Sequence, residues 1–399
     1  MNAPLRIAGL VCCLVAPDTT RAQLANQAKL RTDSVTVSSG TLRAVLTNLT
    51  MCRAAPTTGQ LWKRPVSILQ AGKAALLASG HVAVLDEDAG QIRIIDRDGV
   101  ETGRVGGKGK GPGEFGAFPT LRRWAGDTLA VHDYQGARIA LYTPTAFVRS
   151  ISLNEPATLV TSGFFGRLSD GALVFAYAQN PLNQAKASTG PVRAPMSILK
   201  WTLGSPEAQT LIDGLLGTER HLATIGGRAG MVLVNFSRTT TVGVLPSSIA
   251  VYDDAAPVVK LLDPNGRVFR VIRLDISDPI VSAAEKDSAR NTKMMRQGIE
   301  RASTDVRGLL EYFPDTRPNA AWMGVDDGGF WLALTPNQAG ASRVNIRIDT
   351  SGRPTHCFRA GDGERVLALW RDRAIIATSL DDGDRIEARR TVSMPSLPR

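Results

Sequence analysis

Histidine is scarce in this 399-residue chain, which has only His81, His132, His221 and His356, all dispersed. Metal lyases and lactonases need clustered His, Asp, Asn or Glu ligands, so a multi-histidine centre is not expected. There are four cysteines, and the only adjacent Cys–His pair is His356-Cys357. Strand neighbours point to opposite faces, so that pair is no dyad. There is no Gly-x-Ser-x-Gly elbow. The net charge is +10, but the basic residues are scattered and no block of five or six Lys/Arg occurs. That pattern reads as a solvated basic surface and argues against a nucleic-acid footprint. Beyond the N-terminus no apolar run approaches the length that a membrane-spanning helix needs.

What is present begins with an N-terminal secretion pattern. Met1 to Arg6 is short and basic, Ile7 to Ala16 is apolar, and Thr20-Arg21-Ala22 offers small residues at a cleavage site. Residues 1–22 are therefore expected to be a signal peptide cleaved near Ala22, with 23–34 a flexible leader and the mature protein periplasmic or extracellular. Leu10 and Val11 before Cys12 are not the small residues of a lipoprotein box. Removing the signal leaves Cys52 and Cys357, an even count that permits one disulfide in an oxidising compartment. Two free thiols remain the alternative, since geometry is not readable from sequence.

Two repeats follow. The first runs from Gly80-His81-Val82-Ala83-Val84-Leu85-Asp86 to Ile92-Arg93-Ile94-Ile95, and the second from Gly126 to Tyr142. Between them lies Gly106-Gly107-Lys108-Gly109-Lys110-Gly111-Pro112-Gly113-Glu114-Phe115. Paired alternating strands, a glycine-rich crossover and the same again are how a β-propeller is built. The crossover lacks the Gly-Lys-Ser/Thr ending and following helix of a phosphate loop. Asp96…Gly99, Asp263…Gly266 and Asp349…Gly352 read as turns between a blade's two outer strands, the Asp accepting from turn amides and the Gly supplying a positive φ. Third strands recur about every 59 residues, which gives six blades over 35–399. Blades are expected near 66–106, 121–153, 168–203, 222–276, 320–358 and 365–392. The spacing is too long between the fourth and fifth. There Met295, Ile299, Ala302, Val306, Leu309 and Phe313 fall on one helical stripe, and Ser282…Glu285 can form a capping box. The fold class is all-β: a six-bladed β-propeller with a helical insertion (about 277–317) between blades four and five. The last blade holds only three strands, so Val35–Thr50 is expected to cross over as its outer strand.

The glycine-rich run followed by Gly126 to Tyr142 resembles the NHL-type six-bladed propellers of secreted bacterial proteins. Asp86 and Asp133 match their strand-ending Asp, and Arg138-Ile139 their Arg-Ile pair, whereas Gln91 departs where Arg is expected. The resemblance implies fold far more than activity, because such propellers include binding modules, scaffolds and a minority of lyases and hydrolases.

Asp86 and Asp133 end strands on the side of the crossovers, near the channel mouth, so they are candidate ligand-binding residues together with His132 and Arg138. The two carboxylates could hold Ca²⁺ or serve acid–base chemistry; alternatively, each caps its own loop and pairs with an arginine. The expected function is a secreted or periplasmic binding or scaffold module. It would be a monomer without a cofactor, taking a small-molecule ligand or a protein partner of unknown identity. The alternative is a metal-assisted propeller enzyme, a lyase or lactonase-like hydrolase, using Asp86 and Asp133 with Ca²⁺.

Overall fold

The structure, a computed structural model, describes residues 33–38, 42, 52, 60–117, 119–183, 190–225, 228–233, 236–290, 313–335, 344–361 and 363–394. In chain order the strands are β1 (Asp33–Val37), β2 (Val66–Ile68), β3 (Ala71–Leu76), β4 (Val82–Asp86), β5 (Gln91–Ile95), β6 (Glu101–Val105), β7 (Thr120–Ala125), β8 (Thr128–Asp133), β9 (Arg138–Tyr142) and β10 (Phe147–Ser152). There follow β11 (Gly163–Arg167), β12 (Leu173–Ala178), β13 (Gly190–Trp201), β14 (Gln209–Ile225), β15 (Arg228–Leu233), β16 (Thr240–Leu245), β17 (Ser248–Asp253), β18 (Val258–Leu262) and β19 (Val268–Leu274). Helix α1 (Ala283–Arg290) precedes β20 (Ala320–Asp326), β21 (Gly329–Leu334), β22 (Val344–Asp349), β23 (Pro354–Arg359), β24 (Glu364–Leu369), β25 (Arg373–Leu380), β26 (Gly383–Arg390) and β27 (Val392–Ser393).

These strands form six sheets of four or five strands, opening in turn on β3, β7, β11, β16, β20 and β24. The first strands touch in cyclic order, β3 to β7, β11, β16, β20, β24 and back to β3. One apolar cluster fills each junction. Leu85 and Ile94 meet Leu129 and Tyr142 between the first two sheets, and Val84 and Ile95 meet Ile375 and Ile386 between the first and last. The other four junctions are filled the same way. A second strand lies between two neighbouring sheets, so both its faces are buried. That is why β4 (VAVLD) and β21 (GFWLAL) are buried at every residue and read as continuous apolar runs.

The three Asp-x-x-Gly turns form between third and fourth strands. Asp96 Oδ1 accepts the amides of Asp98 and Val100, both at 2.9 Å, and Gly99 sits at φ +87°. Asp263 and Asp349 repeat the arrangement. In the crossover the positive φ falls on Gly106, Gly109 and Gly113. Gly111 is not among them; its N–H instead donates to Glu114 at 2.8 Å.

The closing strand differs from expectation. The outer strand of the last sheet is β2, which pairs antiparallel with β26. Val35 instead lies in β1, which runs parallel to β19 as the outermost strand of the fourth sheet and already includes Asp33 and Ser34 of the expected leader. The last residues of the chain's final strand pair also separate, since Val392 and Ser393 leave β26 and pair with β23 of the fifth sheet. Residues 222–225 and 228–233, expected in the fourth blade, instead form the end of β14 and all of β15 in the third sheet. A Cys52–Cys357 disulfide, with 5.2 Å between Cα atoms, ties the N-terminal segment to β23. The segment thus fastens to three successive sheets, through β1, the disulfide and β2.

Helix α1 begins at the expected capping box: Glu285 N–H donates to Ser282 Oγ at 3.3 Å, and Ser282 N–H to Glu285 Oε2 at 2.9 Å. Phe313 is buried. The rest of the helical stripe, the signal peptide, 23–32 and most of the segment through Thr50 lie outside the described residues.

Candidate functional site

Five of the six first strands carry a register shift against their second strand, at Ala71/Ala74, Arg123/Ala125, Phe164/Gly166, Trp322/Gly324 and Val366/Ala368. A bulge inserts an extra residue and re-aims side chains. Lys73, Trp124, Phe165 and Leu367 stand at these bulges, and all four line the channel at the centre of the ring. The channel opens as a cavity of about 700 Å³, bordered by the hairpins that join first to second strands. This is the end opposite the crossovers.

The wall combines aromatics and cations. Trp124, Trp322 and Trp370 line it, together with Lys73, Arg122, Arg123, Arg167, Arg347 and Arg371; its only carboxylates are Asp326, Asp327 and Asp372. Asp326 is committed to Arg347, which donates from Nε at 2.7 Å and Nη2 at 2.6 Å, and it also accepts Trp331 Nε1 at 3.3 Å. Asp327 lies 3.5 Å from Arg123, and Asp372 pairs with Arg373 at 2.8 Å. Among the described residues, Lys73, Arg122, Arg167 and Arg371 make no ion pair. The Arg167 guanidinium sits 5.4 Å from the Trp124 ring centroid, a cation–π distance. Arg122 is only partly exposed, and its Nε is buried without a hydrogen-bond partner. Desolvation pulls the Arg122 guanidinium below its ordinary value. Burial, and then the charge of Arg122, does the same to the Lys73 ammonium, with Glu87 opposing. Among the described residues, the wall contains no histidine or cysteine.

Gly243 of β16 shows how tightly the wall is packed. A Cβ there would come within 2.4 Å of both Trp322 and Val325. Trp322 in turn stacks on Phe330 at 5.7 Å and Tyr252 at 6.3 Å, so its ring is held from behind.

The residues singled out from sequence lie at the other end of the sheets, at the turns joining second to third strands. Asp86 is fully buried and accepts Ala89 N–H at 3.1 Å and Arg93 Nη1 at 3.3 Å. Asp133 accepts Gly136 N–H at 3.0 Å and Arg138 Nε at 3.1 Å. The remaining nitrogens of Arg138 donate to the carbonyls of Lys110 and Glu114, at 3.1 and 3.0 Å, and so pin the crossover. Asp133 and Arg138 border a cleft of about 880 Å³ that also involves Lys108, Lys110, Phe115 and Gln135; Asp86 is not part of its lining. Among the described residues, no three His, Cys, Asp or Glu side chains are grouped to hold a metal ion.

His132 is 4% exposed and packs edge-on against Tyr134 and Phe164, with ring centroids 6.3 Å away in both cases. Burial pulls its pKa down to about 4 despite the nearby Asp133. An unfolded histidine titrates near 6.5, so between roughly pH 6.5 and 4 the unfolded chain binds the extra proton. Stability contributed by neutral His132 is therefore complete above that window and lost as pH falls through it, by roughly 3 kcal/mol in total. Urea melts from pH 7 to pH 4 should show this loss, and His132→Gln should flatten it; an unchanged slope in the variant would assign the loss to other groups.

No protein-family model matches the chain, and no curated protein matches it. Solved structures do. One is a Bacteroides fragilis protein described as exported, with 10% identity over 91% of this chain and 99% of that one, and a TM-score of 0.50. A gluconolactonase from Xanthomonas campestris shares 11% identity, covering 86% of this chain and 96% of the other, with a TM-score of 0.43. An aldose sugar dehydrogenase from Streptomyces coelicolor, solved with PQQ, shares 14% over 85% and 100%, with a TM-score of 0.37. At such identities likeness speaks for the fold alone. The cyclic order of the sheets, their filled junctions and the first of these likenesses make the chain a β-propeller.

Proposed function

We propose that the chain is a secreted or periplasmic six-bladed β-propeller of NHL-like type that acts as a binding module. Its six sheets are the blades, and it takes a small-molecule ligand in the mouth of the central channel. The observation that carries this reading is the mouth itself. Five of the six sheets and their hairpins place three tryptophans and an excess of cationic side chains around an open cavity, most of them on strands. Groups projecting from strands are held more firmly than groups on loops, which suits recognition. The carboxylates in the wall are tied to arginines, and among the described residues no imidazole lines it. The excess positive charge opposes Ca²⁺ at this end. At the other end, Asp86 and Asp133 are each engaged by a turn amide and an arginine, as capping residues are. The disulfide and the signal-like N-terminus support an oxidising compartment.

Calorimetry with the aromatic probes 2-naphthoate and 2-naphthamide tests this reading, with elemental analysis of the purified protein beside it. At least one probe should bind, and Trp124→Ala with Trp370→Ala should weaken it by about tenfold. No binding of either probe at millimolar concentration would overturn the reading. So would stoichiometric Ca²⁺ that is lost in Asp86→Asn and Asp133→Asn, an outcome that would favour the metal-assisted enzyme.

A further inference from the structure

Resting on the binding reading above, we infer that the channel mouth is an oxyanion site whose ligand is an organic acid with a flat apolar body. The oxyanion would be held by Lys73 and Arg122, and the body would lie against the tryptophans.

The argument begins with cost. Lys73 on β3 and Arg122 on β7 stand on neighbouring first strands that touch each other, and both side chains line the same channel. Two like charges brought together and partly stripped of water destabilise a fold. Elsewhere in this chain the problem is solved with carboxylates: Arg93 has Asp86 and Glu101, Arg138 has Asp133, and Arg347 has Asp326. At the channel, among the described residues, neither Lys73 nor Arg122 makes an ion pair; Glu87 acts on Lys73 only from a distance, and Arg122 Nε is buried without a hydrogen-bond partner. An arrangement that costs stability is what a ligand site looks like when its ligand supplies the missing charge.

Depth orders the site. Lys73 and Arg122 lie midway along their strands, whereas Arg167 ends β11 and Arg371 lies in the hairpin after β24. Trp124 lies two residues beyond Arg122 toward the rim, Trp370 lies just past the end of β24, and Trp322 lines the channel from β20. An acid entering from the rim would meet guanidinium groups first, slide its ring along indole faces, and place its oxyanion at the inner pair. Guanidinium and ammonium donors both form charge-assisted bonds to carboxylate, phosphate or sulfonate oxygens. The shared chemistry is therefore the oxyanion, and the choice among the three is an arm of the test.

The experiment is isothermal calorimetry on the full mature protein with 2-naphthoate, 2-naphthyl phosphate, 2-naphthalenesulfonate and the neutral 2-naphthamide. At least one of the acids should bind about tenfold or more tighter than the amide, the ratio expected of charge-assisted hydrogen bonds. Arg122→Gln and Lys73→Gln should each erase most of that advantage, and raising salt should shrink it. Arg122→Gln should keep or raise the melting temperature, because a partly buried charge without an ion pair has been removed, and Lys73→Gln, at an exposed side chain, should leave it near that of wild type; a structural arginine would lower it. If the amide binds as tightly as the acids, or if Arg122→Gln and Lys73→Gln leave the ratio intact, the oxyanion inference is overturned while the binding reading stands. If no probe binds at millimolar concentration, both fall.

Discussion

A chain that begins at Ala71 is expected to lose cooperative unfolding, whereas one that begins at Gly59 should retain it. The difference is β2 and the residues leading into it. Trp62, Val66 and Ile68 are buried against the last and first blades, packed with Ile95, Ile375 and Ile386. Leu61 N–H donates to Ala388 O at 2.8 Å, so the segment begins to pair with the last blade before β2 itself. Deleting a buried tryptophan and two buried aliphatic side chains costs about 7 kcal/mol or more, comparable with the entire stability of an ordinary domain. It also strips β26 of its outer partner and leaves a row of unpaired amides and carbonyls. Guanidinium titrations followed by near-ultraviolet dichroism would report this. A sharp transition for the Ala71 chain, with the midpoint of the longer one, would mean that β2 does not close the ring.

Breaking the disulfide should cost less but still be plain. Cys52 and Cys357 are both fully buried and separated by 305 residues in sequence. Cross-links that close long loops restrict the unfolded chain most, and a loss of about 2–5 kcal/mol is expected in Cys52→Ser with Cys357→Ser. The same loss should appear in wild type under dithiothreitol and should be absent when dithiothreitol is added to the variant. The Gly59 chain lacks Cys52 and should share this loss while remaining cooperative. Equal midpoints for oxidised wild type and the double variant would show that the bridge does not constrain folding.

These effects mark where the sequence was legible and where it was not. Central strands such as β4, β8 and β21 could be read because burial on both faces concentrates apolar residues there, as in Val82–Leu85, Leu129–Val131 and Phe330–Leu334. The Asp96, Asp263 and Asp349 turns could be read because their chemistry is local, an Asp oxygen capping amides two and four residues on. The closing strand could not. Val66–Ile68 spans three residues, too few for a period to show, and β1 chose β19 by packing rather than by pattern. The capping alternative for Asp86 and Asp133 was visible for the same local reason as the turns. The channel was not. Lys73, Arg122 and Arg167 occupy positions that look like a solvated strand face, and only the bulges and the closure of the ring turn them inward. A trace of the site was present in Arg122-Arg123-Trp124 and Trp370-Arg371-Asp372, where cation and indole adjoin on the edge of a first strand.

The tryptophans offer the most direct measurement of the central claim, that the mouth is a cation-rich, indole-walled site. Trp62, Trp201 and Trp331 are buried, while the other three of the six, Trp124, Trp322 and Trp370, all line the channel. Collisional quenching of indole fluorescence therefore reports the mouth. At low salt, iodide should quench several-fold more steeply than caesium, because the local potential gathers anions and repels cations. The gap should narrow in Lys73→Gln with Arg122→Gln, and a bound naphthalene acid should shield the rings from iodide. Equal slopes for iodide and caesium, or a gap that the double variant leaves unchanged, would contradict the account.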